Sequence, residues 1–253
     1  MIPIKTKEEI KKMREGGRRL AWVMDKVLKQ VKSGVRLIEL DKLAESLIEK
    51  QKGKLSFKMV RNYHWTTCIN INQGIVHGIP DDYRIRTNDV VSVDIGMFYH
   101  GLHTDMARTI RVKERERKRK EDKFLLAGTR ALGRAIKAAR AGNRLGHVSQ
   151  AIEKEIRKSG LSPVKVLTGH GVGKKLHEEP QIPCYLEQKI GVTPKLVLGM
   201  TLAIEVIYTR GRPDIVLEPD GWTVKTADGS LAGLFEDTVV VTDEGGEVLT
   251  KFN

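Results

Sequence analysis

The segment Val90-Val91-Ser92-Val93-Asp94-Ile95-Gly96-Met97-Phe98-Tyr99-His100-Gly101-Leu102-His103-Thr104-Asp105 constrains this chain more than any other. It opens on β-branched residues, which read as a buried strand. A buried strand is a costly place for an unpaired carboxylate, yet Asp94 ends the run. Asp105 follows eleven residues later, past a turn signal at Gly101. Two hairpin strands would carry both acids to the same end of a sheet. A positive group should meet them there, and a metal is the simplest one. A bland reading stays open on these residues alone: Asp94 caps a turn and Asp105 lies on the surface.

Around this segment the patterning alternates helices with strands. Thr6 to Lys32 has helical periodicity, with a capping box at Thr6 and Glu9 and a stop at Gly34. A second helix is expected from about Ile38 to Lys50, then strands near Leu55–Val60 and Thr66–Ile71. Helices recur at Asp122–Arg140 and Val148–Lys158, followed by strands at Val164–Leu167, Met200–Tyr208 and Leu234–Val241.

The order helix, helix, strands therefore occurs twice, and residues match between the copies. Gly34-Val35-Arg36-Leu37 resembles Gly142-Asn143-Arg144-Leu145, and at the same offset of 108 Glu45 meets Glu153 and Ile48 meets Ile156. His77-Gly78-Ile79-Pro80 echoes His177-Glu178-Glu179-Pro180, and Val93-Asp94 echoes Ile204-Glu205. Thr104-Asp105 pairs loosely with Phe235-Glu236. Two related halves would place matching acids on either side of a pseudo-twofold axis. The fold class expected is α+β, an antiparallel sheet covered by helices.

The repeat gathers a set of acids. Asp94, Asp105, Glu205 and Glu236 each sit in or beside an apolar strand, and Gly169-His170-Gly171-Val172-Gly173 adds an imidazole between glycines. Four carboxylates and a histidine would repel one another and hold protons. Two divalent ions would balance them. Oxygen-rich ligation with one imidazole suits Mn, Fe, Co or Zn better than a thiolate site does.

These motifs, with Asn70-Ile71-Asn72 and Phe235-Glu236-Asp237-Thr238, run in order across nearly the whole chain. In them the sequence resembles the type I methionine aminopeptidases, metallopeptidases of the pita-bread fold. The resemblance implies one catalytic domain over residues 1–253, with a curved antiparallel sheet in two pseudo-twofold halves. It implies removal of the initiator methionine from nascent chains, with preference for a small second residue. It implies two divalent ions per chain, of Co, Mn, Fe, Zn or Ni: Asp94 on one, His170 and Glu205 on the other, Asp105 and Glu236 bridging. His77 and His177 match the family's histidines beside the substrate, and Glu205 its proton shuttle. Tyr63, Cys68, Leu176 and Trp222 are candidates for the methionine pocket, ordinary core being the alternative for each. Val206 stands where the family usually has proline, Leu176 where it often has phenylalanine, and Asp237 where it often has histidine. A related Xaa-Pro peptidase, or a ribosome- or RNA-binding relative without catalysis, are the competing functions.

Composition narrows the setting. Two cysteines, Cys68 and Cys184, make no disulfide scaffold and suit a reducing cytoplasm. No apolar stretch is long enough to span a bilayer, and nothing calls for an obligate partner, so a monomer is expected. The formal net charge of +13 favours acidic partners. Arg111–Lys123 holds eight basic and four acidic residues, read either as an ion-paired helix start or as a ribosomal RNA contact. His64, His100, His103 and His147 are expected on the surface or in turns. Gly173-Lys174-Lys175 lacks the glycine and hydroxyl residue of a P-loop.

Overall fold

The computed structural model describes residues 2–113 and 120–252. Four long helices carry the outside: α1 (Lys7–Leu28), α2 (Leu37–Lys50), α3 (Lys120–Ala138) and α4 (Leu145–Lys158). Strands β1 (Lys54–Leu55), β2 (Thr67–Ile71), β3 (Gly74–Val76), β4 (Val90–Tyr99) and β5 (Leu102–Arg111) separate the two helix pairs. After α4 come β6 (Ser162–Pro163), β7 (Thr168–Gly171), β8 (Glu178–Pro183), β9 (Thr201–Thr209), β10 (Ile215–Leu217), β11 (Val224–Thr226), β12 (Ala232–Val241) and β13 (Gly246–Val248).

The main sheet runs β1-β4-β5-β12-β9-β7-β8, with β2 on β4, β6 on β9 and β13 on β12. Every paired neighbour is antiparallel. A small sheet, β10-β11-β3, stands beside it. Strand period two sorts the side chains of β4 cleanly. Val91, Val93, Ile95 and Met97 pack in one core with Leu20, Val23, Met24 and Leu40 of α1 and α2. Ser92, Asp94 and Gly96 therefore face the other way. On β9, Leu202, Ile204, Val206 and Tyr208 join Ala131, Leu132, Val148 and Ile152 of α3 and α4, which turns Glu205 to the same uncovered face. Helices thus occupy one side of the sheet, and the polar residues of the central strands meet on the other.

The duplication is visible in backbone detail. The bounds of α2 and α4 differ by 108 at both ends. Gly34 and Gly142 precede them with φ of +90° and +86°, a conformation that suits glycine. Gly34 N–H donates to Ile85 O (2.8 Å) and Gly142 N–H to Leu196 O (3.0 Å). Leu37 N–H donates to Tyr83 O and Leu145 N–H to Pro194 O in the same arrangement.

Several expectations need correction. The first helix ends at Leu28 rather than Lys32, although its capping box is present: Glu9 N–H donates to Thr6 Oγ1 and Thr6 N–H to the Glu9 carboxylate. The Leu55–Val60 strand is largely a 3-10 turn at Phe57–Met59, because Phe57 turns inward to a small aromatic cluster rather than lying flat on a sheet. Val164–Leu167 is a bend between β6 and β7, with Val166 67% exposed. Asp94 and Asp105 do not lie at the end of a sheet. The hairpin turns at His100 and Gly101, both with positive φ, and its register sets Asp94 opposite Ala107 and Gly96 opposite Asp105. The two acids are diagonal neighbours in mid-strand.

Within the basic run, residues 114–119 lie outside the described residues, so the expected ion-paired helix start falls largely on them. At its edges Arg111 is buried and paired with Asp122 (3.0 Å), and Glu121 with Arg210 (3.3 Å). No helix among the described residues is long and apolar enough to cross a membrane.

Candidate metal centre

One row across the sheet carries most of the centre. Cys68 on β2 pairs with Asp94 on β4, Asp94 with Ala107 on β5, Ala107 with Glu236 on β12, and Glu236 with Glu205 on β9. Asp105 lies two residues from Ala107, and His170 on β7 pairs with Ala203, two residues from Glu205. Period two puts all of these side chains on the helix-free face. Gly169 matters here, because a Cβ on it would lie 2.5 Å from Ala203 O and push β7, with His170, away from β9.

Three of the four acids are buried, Glu236 at 2% exposed, Asp105 at 3% and Asp94 at 9%, and Glu205 is partly buried. One ligand atom each from Asp105, His170 and Glu236 lie within 4.8 Å of one another. His170 Nε2 is 3.5 Å from Glu205 Oε1. Nδ1 of His170 is 2.8 Å from Gly171 O; as a donor to that carbonyl it leaves the Nε2 lone pair facing the acids, the way second-shell contacts orient imidazole ligands.

Protonation reflects crowding. Burial, then Asp105 and Glu205, pushes Asp94 well above the usual carboxylate range. Burial raises Asp105 to about 7. Glu205 and Glu236 are pushed well up, by burial first and then by Asp105, with Glu205 and Asp94 adding to the push on Glu236. Burial, with His177 next, lowers His170 to about 4. The side-chain oxygens Asp94 Oδ1, Asp105 Oδ1 and Glu236 Oε1 are buried with no hydrogen-bond partner. Buried carboxylate oxygens left without donors need a partner of opposite charge, which divalent cations would supply. The donor set, oxygens plus one imidazole, fits divalent transition ions.

A cavity of about 120 Å³ opens on the acids. It is lined by Asp94, Asp105, His170, Glu205 and Glu236, by His77 and His177, and by Tyr63, Cys68, Leu176 and Trp222. Thus all eleven candidate residues border one space. Phe57, Tyr63, Cys68 and Leu176 form a buried apolar cluster, with Trp222 packed against it. Tyr63 meets the Trp222 ring edge-on at 5.0 Å, and its hydroxyl donates to Thr67 O (2.8 Å), so the ring is fixed. His77 and His177 come from two loops, and burial within the concavity lowers both below the ordinary imidazole range. Both are neutral N–H donors near pH 7. They also border a wider outer cleft of about 670 Å³, lined further by Pro3, Val166, Thr168 and Gln181. Such an arrangement can polarise a carbonyl, accept and return a proton, and hold one apolar side chain.

Sequence reasoning missed some of this lining. Phe57 and Val60 border the cavity, hidden by their assignment to a strand. His103 is 4% exposed rather than superficial, with Nδ1 2.8 Å from Ser56 Oγ. Its signal was available: it stands two residues before Asp105 on one strand and so shares its face. The three departures sit as follows. Val206 is fully buried beneath the helices, Leu176 lines the cavity, and Asp237 pairs with Arg108 (2.8 Å) on the opposite face from Glu236.

The model of metallopeptidase family M24 matches residues 11–243. Methionine aminopeptidase 1 of Bacillus subtilis is 38% identical over 252 residues, covering 99% of this chain and 100% of that protein. The crystal structure of methionine aminopeptidase from Thermotoga maritima superposes with a TM-score of 0.94 at 37% identity, covering 99% of this chain and 100% of that one. Prolidase from Pyrococcus furiosus gives 0.77 at 25% identity, covering 99% of this chain but 66% of that one.

Proposed function

This chain belongs to metallopeptidase family M24, and from that premise we propose that it removes the N-terminal methionine from peptide chains, preferring a small second residue. Three orphaned carboxylate oxygens beside a small aromatic-walled pocket carry the reading. Asp94 would hold one divalent cation, His170 and Glu205 another, with Asp105 and Glu236 shared between them. Mn, Co, Fe, Zn and Ni all suit these donors. Such cations supply Lewis-acid polarisation of the scissile carbonyl and activation of water near neutral pH.

The chain's own groups do the rest. Phe57, Tyr63, Leu176 and Trp222 take the methionine side chain, whose flexible thioether suits a small apolar cavity. His177 donates an N–H to the scissile carbonyl oxygen as negative charge develops there. His77 meets the scissile nitrogen. Glu205 accepts a proton from the attacking water on a carboxylate oxygen and returns it to the leaving amine.

Metal-loaded protein should release methionine from Met-Ala-Ser and far less from Met-Lys-Ser. No release from Met-Ala-Ser with Mn, Co, Fe or Zn would refute the reading. The likeness to prolidase motivates a second one, action before proline, which a preference for Xaa-Pro over Met-Ala substrates would favour.

The same reading treats residues 1–253 as one catalytic unit, monomeric and cytoplasmic, meeting chains as they are made. Both cysteines are buried and free. The basic run at Arg111–Lys123 would then touch ribosomal RNA through its other basic residues, Arg111 itself being committed to Asp122. Neutralising Lys118, Arg119 and Lys120 should weaken co-sedimentation with ribosomes; unchanged sedimentation would remove this part.

A further inference from the structure

His177 and Leu176 stand on a turn, residues 173–178, that the N-terminal segment holds from outside. Lys5 and Glu178 form an ion pair across 173 residues of sequence, with side chains only 4% and 6% exposed. The other oxygen of Glu178 accepts Lys175 N–H (3.1 Å). Gly173 N–H donates to Lys175 O (3.0 Å), and Gly173 O accepts His103 N–H (2.7 Å). Lys5 lies flat on Gly173, since a Cβ there would be 2.2 Å from Lys5 Cε. Lys5 is tethered in turn: its N–H donates to Gly199 O (2.9 Å), just before β9. Next to it, Pro3 lines the outer cleft and Ile2 packs on the α3–α4 core.

Burying two charges gains little stability over an apolar pair of similar size. What it adds is direction. Glu178 is gripped by Lys5 on one oxygen and by the turn's own backbone on the other, so the residue beside His177 has one orientation. We propose that the Lys5–Glu178 pair is a positioning lock that sets His177 at the scissile carbonyl. It deepens the aminopeptidase reading and rests on it. Lys5 and Glu178 touch no reacting atom; they act through His177.

The test uses Lys5→Met, Glu178→Gln and the double variant Lys5→Met/Glu178→Gln, each also in a His177→Ala background, on Met-Ala-Ser. Each single variant leaves one buried partner unmatched and should lower Tm. The double variant leaves no orphaned charge and should recover most of Tm. It should still lose about tenfold in kcat, a tenth or less of what deleting an oxyanion donor outright costs, with little change in KM. In the His177→Ala background the double substitution should change kcat less than twofold. Amide exchange across residues 173–178 should quicken in the double variant with or without metal. Wild-type kcat in the double variant, or the same tenfold loss without His177, would overturn the lock. An inactive wild type would instead count against the aminopeptidase reading, and the exchange measurement separates the two failures.

Discussion

Glu236 on β12 stands directly opposite Glu205 on β9 in antiparallel register. Like charges so placed destabilise a sheet. Among the described residues neither acid has a lysine or arginine in ion-pair contact; Glu205 has only His170, at 3.5 Å. With Asp94 and Asp105 beside them, the pair concentrates in one cavity a repulsion that divalent cations would convert into attraction.

The first prediction concerns stability. Ions that bind the folded chain stabilise it by about 2.7 kcal/mol at a hundredfold excess over Kd. For a chain of this size that raises Tm by roughly 5–11 °C. Thermal unfolding of stripped protein with and without Mn or Co checks it. No shift at saturating metal would contradict it.

The second concerns pH in metal-free protein. Folding raises the four acids above their unfolded values, Asp105 to about 7, so the folded state holds more protons. Stability then falls as pH rises through the folded values. The lowered histidines, His170 at about 4 among them, act oppositely but only below about 6.5, where the unfolded imidazole titrates. Above that the acids alone decide. Metal-free stability should therefore decline from about pH 6.5 to 8, while the metal-induced gain grows because protons no longer compete. Denaturant melts at both pH values test the sign.

Asp105→Asn removes a buried charge that is shared by the proposed site. Metal-free Tm should stay level or rise, and the rise on adding metal should shrink by more than half. A normal metal response in Asp105→Asn would show that this carboxylate is no ligand.

His177→Ala should lower kcat by about 10²–10³, the usual cost of losing one oxyanion donor. KM should change little. Because burial favours the neutral form of this imidazole, the loss should be uniform from about pH 7.5 to 8.5. A loss appearing only at low pH would indicate a charged role.

Gly96→Ala tests the pocket wall. Its Cβ would lie 2.7 Å from Phe57 Cε1 and 2.8 Å from Ser56 Cβ. Overpacking of this kind costs about 1–3 kcal/mol, and Phe57 must move within the cavity it lines. KM for methionyl peptides should rise severalfold with kcat less affected. Unchanged KM would separate Phe57 from substrate binding.

The acids could be found in sequence because each one interrupts a run of β-branched or apolar residues, where a carboxylate has no ordinary use. The two halves could be found because glycines with positive φ, Gly34 and Gly142, recur at a fixed offset before matching helices. Register was not visible: the row from Cys68 to Glu205 depends on strands far apart in the chain. Phe57 was lost because a short apolar run reads alike as strand or turn. The Lys5–Glu178 pair has no local signature, since its partners meet only in the folded chain.

Metal stoichiometry of stripped and reloaded protein, by elemental analysis with calorimetric titration, tests the centre most directly. Two divalent ions per chain are predicted, with that number falling when Asp105 and Glu236 are replaced by their amides. Fewer than one ion per chain, or a count indifferent to those substitutions, would contradict it.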